Sequence, residues 1–146
     1  MTHAIATVFV PKNKTLDEVM APYDEGIRVE AYERPCWCTD ERASIKTPDC
    51  ADCDHTGIET TTYNPHSKWD WYMRTDEEES RYKDWNPGKP TYALVLPDEG
   101  WQSRGELGWF GSSANENDGW DDVFRAAFER YSQDPNLTVV LIDYHI

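Results

Sequence analysis

Ala4-Ile-Ala-Thr-Val-Phe-Val10 is an unbroken apolar and β-branched run that stops at Pro11, and its reading decides the fold. It reads as a buried strand. Two further runs of the same kind lie far along the chain: Tyr92–Leu96 (YALVL), and Leu137–Ile142 (LTVVLI), which continues through Asp143-Tyr-His-Ile146. Between the first two runs, Thr15 with Glu18 three residues on forms a capping box for a short helix that Pro22 ends. Ile27–Tyr32 alternates apolar with polar residues and predicts a half-buried strand. Lys68–Met73 predicts another, with Trp69 and Trp71 on one face and Asp70 and Tyr72 on the other. The charged stretch 75–90 predicts a solvated loop or short helix. After the Pro97–Gly100 turn, Trp101–Gly111 predicts an irregular hairpin arm. A helix starting at Asn117 or Asp118 carries Trp120, Val123, Phe124, Ala127, Phe128 and Tyr131 on one face, and Asp134-Pro-Asn136 stops it. The order approximates βαββαβ, so the expected fold is α+β, a ferredoxin-like sandwich. It forms one domain over residues 1–146, interrupted by an insertion at 35–66 that is rich in Cys, Asp, Thr and Pro.

The composition sets limits on the partners. With 146 residues and seven Trp, eight Tyr and four Phe, the core is expected to be built around rings. Against 14 Lys and Arg stand 28 Asp and Glu, a net charge of −14. Such a chain repels phosphate backbones, which argues against direct nucleic-acid binding. It suits solubility, or a basic protein partner such as a nucleic-acid-binding protein whose ligand the surface imitates. No stretch reaches the ~20 apolar residues of a membrane span, and the start lacks the pattern of a signal peptide. A cytoplasmic protein is the expectation.

In a reducing compartment, clustered cysteines favour metal over disulfides. Cys36, Cys38, Cys50 and Cys53 are spaced Cys-x-Cys, eleven residues, Cys-x-x-Cys. Four thiolates satisfy tetrahedral zinc and leave no open position, so the expected site is a structural zinc knuckle that replaces the core the insertion lacks. Four free thiols, or two disulfides, are the competing readings. Pro35 and Trp37 are expected to shape the unusual Cys-x-Cys curl, Gly57 a tight turn, and His55 to stand by.

Elsewhere, Asp143 and His145 share a strand face and suit a general base or half a metal site, or simply a solvated chain end or a structural pairing. Lys68, Trp69, Asp70, Trp71 and Tyr72 are candidate binding residues able to stack a ring ligand, or to join the core. Trp109 and Phe110, between glycines, are a candidate protein-binding anchor. No nucleophile elbow, P-loop or dinucleotide fingerprint occurs, and no catalytic residue is assigned.

Several of these strings together resemble a family of small bacteriophage proteins, notably from phages of actinobacteria. They are Cys50-Ala-Asp-Cys53, Thr56-Gly57, Thr61-Thr-Tyr-Asn-Pro-His-Ser-Lys-Trp-Asp-Trp-Tyr72, Leu96-Pro-Asp-Glu-Gly-Trp101, Gly105-Glu-Leu-Gly-Trp-Phe-Gly111 and the closing Asp143-Tyr-His-Ile146. The match runs from Met1 to Ile146. Members often continue the aromatic string with Gly-Gly-Arg-Trp, where this chain has Met73-Arg-Thr-Asp. They often end Asp-Cys-His-Ile, where this chain has Tyr144. The knuckle is also locally similar to the Cys-x-x-Cys-x-x-x-Gly units of zinc-type co-chaperones. The resemblance implies a phage accessory protein in the host cytoplasm and brings no activity with it. The expectation is therefore a non-enzymatic protein, monomer or homodimer, that binds and modulates a host protein. Interference with a host defence system, or with a nucleic-acid-binding enzyme, is its concrete form. The alternative is a protein that binds or sequesters a small, nucleotide-like molecule in an aromatic pocket. An enzyme using Asp143 and His145 with Asp70 or Lys68 ranks third.

Overall fold

The computed structural model describes residues 2–108 and 111–146, so the Trp109–Phe110 pair lies outside the described residues. The chain divides into two compact units, one made of the segments up to Asp24 and from His66 onward, the other of Glu25–Pro65. The second unit is wider than the expected insertion at 35–66, because it takes in the strand that precedes it.

In chain order the elements are β1 (His3–Pro11), α1 (Leu16–Met20), β2 (Arg28–Pro35), β3 (Ile58–Tyr63), β4 (Trp71–Arg74), α2 (Glu79–Tyr82), β5 (Ala93–Leu96), β6 (Gly100–Ser103), β7 (Glu106–Leu107), β8 (Ser113–Ala114), α3 (Trp120–Ser132) and β9 (Leu137–His145). The larger unit is a mixed α+β structure. Its sheet runs β4-β9-β1-β5-β6, with β1 and β5 parallel and the remaining pairs antiparallel.

The apolar run in β1 has no polar alternation because both of its faces are covered. Ala6, Val8 and Val10 join Met20, Ala93, Val95, Val140, Ile142 and Tyr144 on one face. Met20 comes from α1, whose capping box forms as expected: Glu18 N donates to Thr15 Oγ1 at 3.2 Å, and Thr15 N to Glu18 Oε2 at 3.0 Å. Phe9 points the other way, into a cluster with Leu94, Leu96 and the α3 residues Trp120, Phe124 and Tyr131. Each fully buried side chain of this size contributes roughly 1.5–3 kcal/mol. Trp120 is also tied down by its indole, which donates to the Thr91 carbonyl at 2.7 Å.

Three expectations need correction. The strand expected at Ile27–Tyr32 does form, over Arg28–Pro35, but it does not enter the main sheet. It pairs with β3 in a separate two-stranded ladder. Alternation specifies a strand and its two faces, not its partner. The central β9-β1-β5 trio therefore keeps the directions of a split βαβ arrangement, but the place beside β5 is filled by β6 and not by the second strand of a βαββαβ chain. The helix expected from Asn117 or Asp118 starts at Trp120, because Asn117 closes a turn ahead of it: its side chain accepts from Gly119 N at 2.9 Å. The strand expected over 68–73 starts only at Trp71, so the period-two rule does not reach back to Trp69. Trp69 packs with Tyr72 against the Met20 side of the sheet, while Trp71 is exposed. The two indoles do not form one stacking platform.

Candidate functional site

The ladder of β2 and β3 ends at the Pro35↔Ile58 pair, and Cys36 N continues it by donating to the Gly57 carbonyl at 2.9 Å. Beyond that point two tight turns bring the cysteines inward. The Cys-x-Cys curl is a 3-10 turn over Trp37–Thr39, in which Thr39 N and Oγ1 both donate to the Cys36 carbonyl, at 3.0 and 2.7 Å. Trp37 points outward, its indole donating to Asp52 at 2.9 Å. The second pair sits on a 3-10 turn over Thr47–Asp49, with Cys50 N donating to the Thr47 carbonyl at 3.2 Å. The chain then passes through left-handed residues Asp54, His55 and Gly57, with φ of 51°, 63° and 79°. At Gly57 a side chain would be strained twice: by that φ, and by a Cβ lying 3.3 Å from the methyls of Thr39 and Thr47.

The result is a closed cluster. The four Sγ atoms lie within 4.8 Å of one another, and Cys36, Cys38, Cys50 and Cys53 are 1, 1, 1 and 5% exposed. Cys36 and Cys50 stand 3.9 Å apart and Cys38 and Cys53 3.7 Å, and all four are free cysteines. A disulfide needs about 2.05 Å. By contrast, a tetrahedron with metal–sulfur bonds of about 2.3 Å has sulfur–sulfur edges of about 3.8 Å. The donor set therefore fits a four-thiolate metal ion. His55 is not part of it.

Electrostatics inside the cluster point the same way. At Cys36 the backbone N–H of Cys38 favours the thiolate, but burial and the neighbouring sulfurs outweigh it and push the thiol up to about 12. Burial pushes Cys50 up as well. At Cys53 burial is opposed by Gly57 N, which donates to the sulfur at 3.2 Å, and by the other thiols, so it falls to about 7. Burial and crowding thus oppose charge on Cys36 and Cys50 in the absence of a cation, which would reverse that balance.

The larger unit has a second polar constellation, at the far end of the sheet face that carries α3. β9 presents Asp143 and His145 on that face, and the β1 register places His3 opposite His145. Asp143 is buried at 2% exposure. One of its oxygens meets His3 Nδ1 at 3.1 Å and the other accepts from the Tyr82 hydroxyl. His145 is 8% exposed, its Nδ1 lies 2.5 Å from Asp70 Oδ1, and Asp70 N donates back to the His145 carbonyl at 2.9 Å. Of the residues singled out from the sequence, Asp70, Trp71, Asp143 and His145 thus come together, with Trp71 opposite His145 across the β4–β9 pairing. Lys68 lies elsewhere, beside a cavity of about 180 Å³ with Trp101 and Tyr144. Tyr72 and Trp69 line a different cleft, of about 640 Å³, with Asp17 and Arg74. There the Tyr72 hydroxyl donates to Asp17, and burial followed by that carboxylate raises its pKa. Tyr144 is buried edge-on against Trp101, with ring centres 5.1 Å apart.

His3 and Tyr82 were not found from the sequence. His3 carried one signal: it stands two, four and six residues before Ile5, Thr7 and Phe9, on the face of β1 that meets Asp143 and His145. Reading it requires the pairing of the first and last strands.

Compared with family models, curated proteins and solved structures, the chain matches none of them.

Proposed function

We propose that this is a non-enzymatic binding protein whose Glu25–Pro65 unit, stapled by zinc on Cys36, Cys38, Cys50 and Cys53, presents a recognition surface to a basic protein partner. One observation carries the reading. The buried cluster of this unit consists of the four cysteines, while Ile27, Trp37, Ile45 and Ile58 are 37, 44, 45 and 52% exposed. A metal centre that does the work of a core leaves large apolar side chains for the surface, and Trp is the residue most enriched at binding hot spots. From Cys36 to Gly57 the loop also carries Asp40, Glu41, Asp49, Asp52 and Asp54 against Arg42 and Lys46, which suits a basic partner. The resemblance to small phage proteins supplies the setting: a host protein, with a defence component as the concrete form.

The test is capture from an actinobacterial host lysate by the zinc-loaded chain, in parallel with Trp37→Ala and with Asp49, Asp52 and Asp54 replaced by Lys. The reading expects a partner whose capture both variants lose. Capture indifferent to both would sink it.

A second reading rests on the 640 Å³ cleft lined by Trp69, Tyr72, Arg74 and Asp17, which falls within the size range of small-molecule pockets. Here the ligand is nucleotide-like, stacked on a ring, with its anionic group displacing Asp76 from Arg74, whose guanidinium otherwise donates to that carboxylate at 3.1 and 3.0 Å. Titration of the chain with nucleotides, against Arg74→Gln, separates this reading from the first.

A further inference from the structure

We propose that His3 and His145 form a second metal site, separate from the cysteine cluster. It takes a divalent first-row transition ion through the two Nε2 atoms, with water completing the coordination.

A carboxylate at hydrogen-bond distance only accepts, so His3 Nδ1, 3.1 Å from Asp143, and His145 Nδ1, 2.5 Å from Asp70, are both the protonated nitrogens. In a neutral imidazole this leaves the lone pair on Nε2. A histidine held through Nδ1 by a carboxylate is the arrangement that metal-binding histidines adopt, because it fixes the tautomer, orients the ring and raises the basicity of the free nitrogen. Here it occurs twice, on adjacent strands. Asp143 is itself held by Tyr82, so the support extends one step further.

The His3 and His145 rings are 4.9 Å apart between centres, inclined at 62°. Two imidazoles bound through nitrogen to one ion at about 2.0–2.1 Å, with angles between 90° and 109°, have ring centres roughly 4.5–5.1 Å apart. The observed spacing falls within that interval.

Among the described residues, Nε2 of His145 is a buried side-chain nitrogen with no hydrogen-bond partner. Such an atom costs free energy unless something satisfies it. A metal ion shared with His3, whose side chain is 43% exposed, meets that need and leaves an entry path from solvent. Imidazole pairs suit zinc, copper and nickel, whereas the thiolate cluster is the softer and tighter site. The two sites therefore fill in order.

The experiment is calorimetric titration of the full chain, already holding one equivalent of zinc, with further zinc at about 0.15 M salt, where weak surface adsorption is screened. A second equivalent is expected. It should be lost in His145→Gln and His3→Gln, and weakened about ten- to a hundredfold in Asp70→Asn, which removes a supporting group but no ligand. Histidine ¹⁵N spectra of the unsubstituted chain should show both Nε2 signals moving on zinc addition while Nδ1 stays protonated. No second equivalent, or one that survives His145→Gln, overturns the proposal. If His145→Gln fails to fold, the ¹⁵N spectra decide, and unmoved Nε2 signals overturn the proposal equally.

Discussion

The two units of this chain hide different things. The sheet unit hides rings and aliphatic side chains: Phe9 and Phe124 are fully buried, between layers that both use the alternation of β1. The Glu25–Pro65 unit hides four sulfurs and, among the described residues, contributes four of the six exposed large hydrophobics, leaving Trp71 and Val123 to the sheet unit. Where a chain can close a core, apolar residues serve stability. Where side chains converge on a point too small to be a core, stability rests on the chemistry at that point, and apolar residues are available for other work.

The largest effect should come from breaking that point. Replacing Cys38 with Ser, or stripping metal with a chelator, is expected to unfold the Glu25–Pro65 unit altogether, because a thiolate metal site and the fold around it form together. Amide hydrogen exchange should show protection lost across β2 and β3 and retained in β1, β5 and β9. A uniform loss over both units would deny that they differ. The converse substitution is Phe124→Ala. It removes a fully buried ring from between α3 and the sheet, at an expected cost of about 3–5 kcal/mol. Denaturant unfolding followed by the sheet signal measures the loss, and the metal content of the folded fraction should not change.

Alkaline pH sharpens the contrast by a smaller amount. Burial raises Tyr72 and Tyr144 above the ordinary tyrosine value, with Asp17 adding to the shift at Tyr72 and Tyr92 at Tyr144. The sign follows from linkage. A group whose folded pKa is raised keeps its contribution below the unfolded pKa, about 10 for tyrosine, and loses it as pH rises through the folded value. Both residues pack in the Met20 layer of the sheet unit. Stability of that unit should therefore fall above about pH 10, and Tyr72→Phe should flatten the decline. Equilibrium unfolding at a series of pH values, with tyrosinate absorbance as the second probe, checks both.

How far the sequence could be read follows the same division. β1, the capping box at Thr15, and the apolar face of α3 were legible because each is a local pattern of period, cap or run. The cysteine cluster was legible because its four members lie within eighteen residues of sequence. What escaped was pairing. Nothing in Ile27–Tyr32 says that its neighbour is Ile58–Tyr63 and not β5, and a strand's periodicity is the same in either place. The polar cluster was half legible for the same reason. Asp143 and His145 stood out as neighbours, but His3 lies 140 residues from Asp143 and enters only through the β1–β9 register. The aromatic string at 69–72 misled because strand alternation was extended through Trp69, two residues before the strand begins.

The smallest expected effect is on stability, and it discriminates most sharply between uses of an aromatic residue. Trp37 is 44% exposed and makes one indole hydrogen bond, to Asp52. Surface substitutions of this kind usually change stability by within about 0.5 kcal/mol. Trp37→Ala should therefore leave the unfolding midpoint and the metal content near those of the unsubstituted chain, whereas Phe124→Ala, also an aromatic truncation, should lower the midpoint of the sheet unit. If Trp37→Ala instead unfolds the Glu25–Pro65 unit, the indole is a structural lid on the cysteine cluster, and the surface proposed for recognition loses its anchor. If the unit stays folded and partner capture disappears, stability and binding have been assigned to different residues of the same small unit. A core-built unit cannot easily separate the two, because there the large apolar side chains are already committed to the interior.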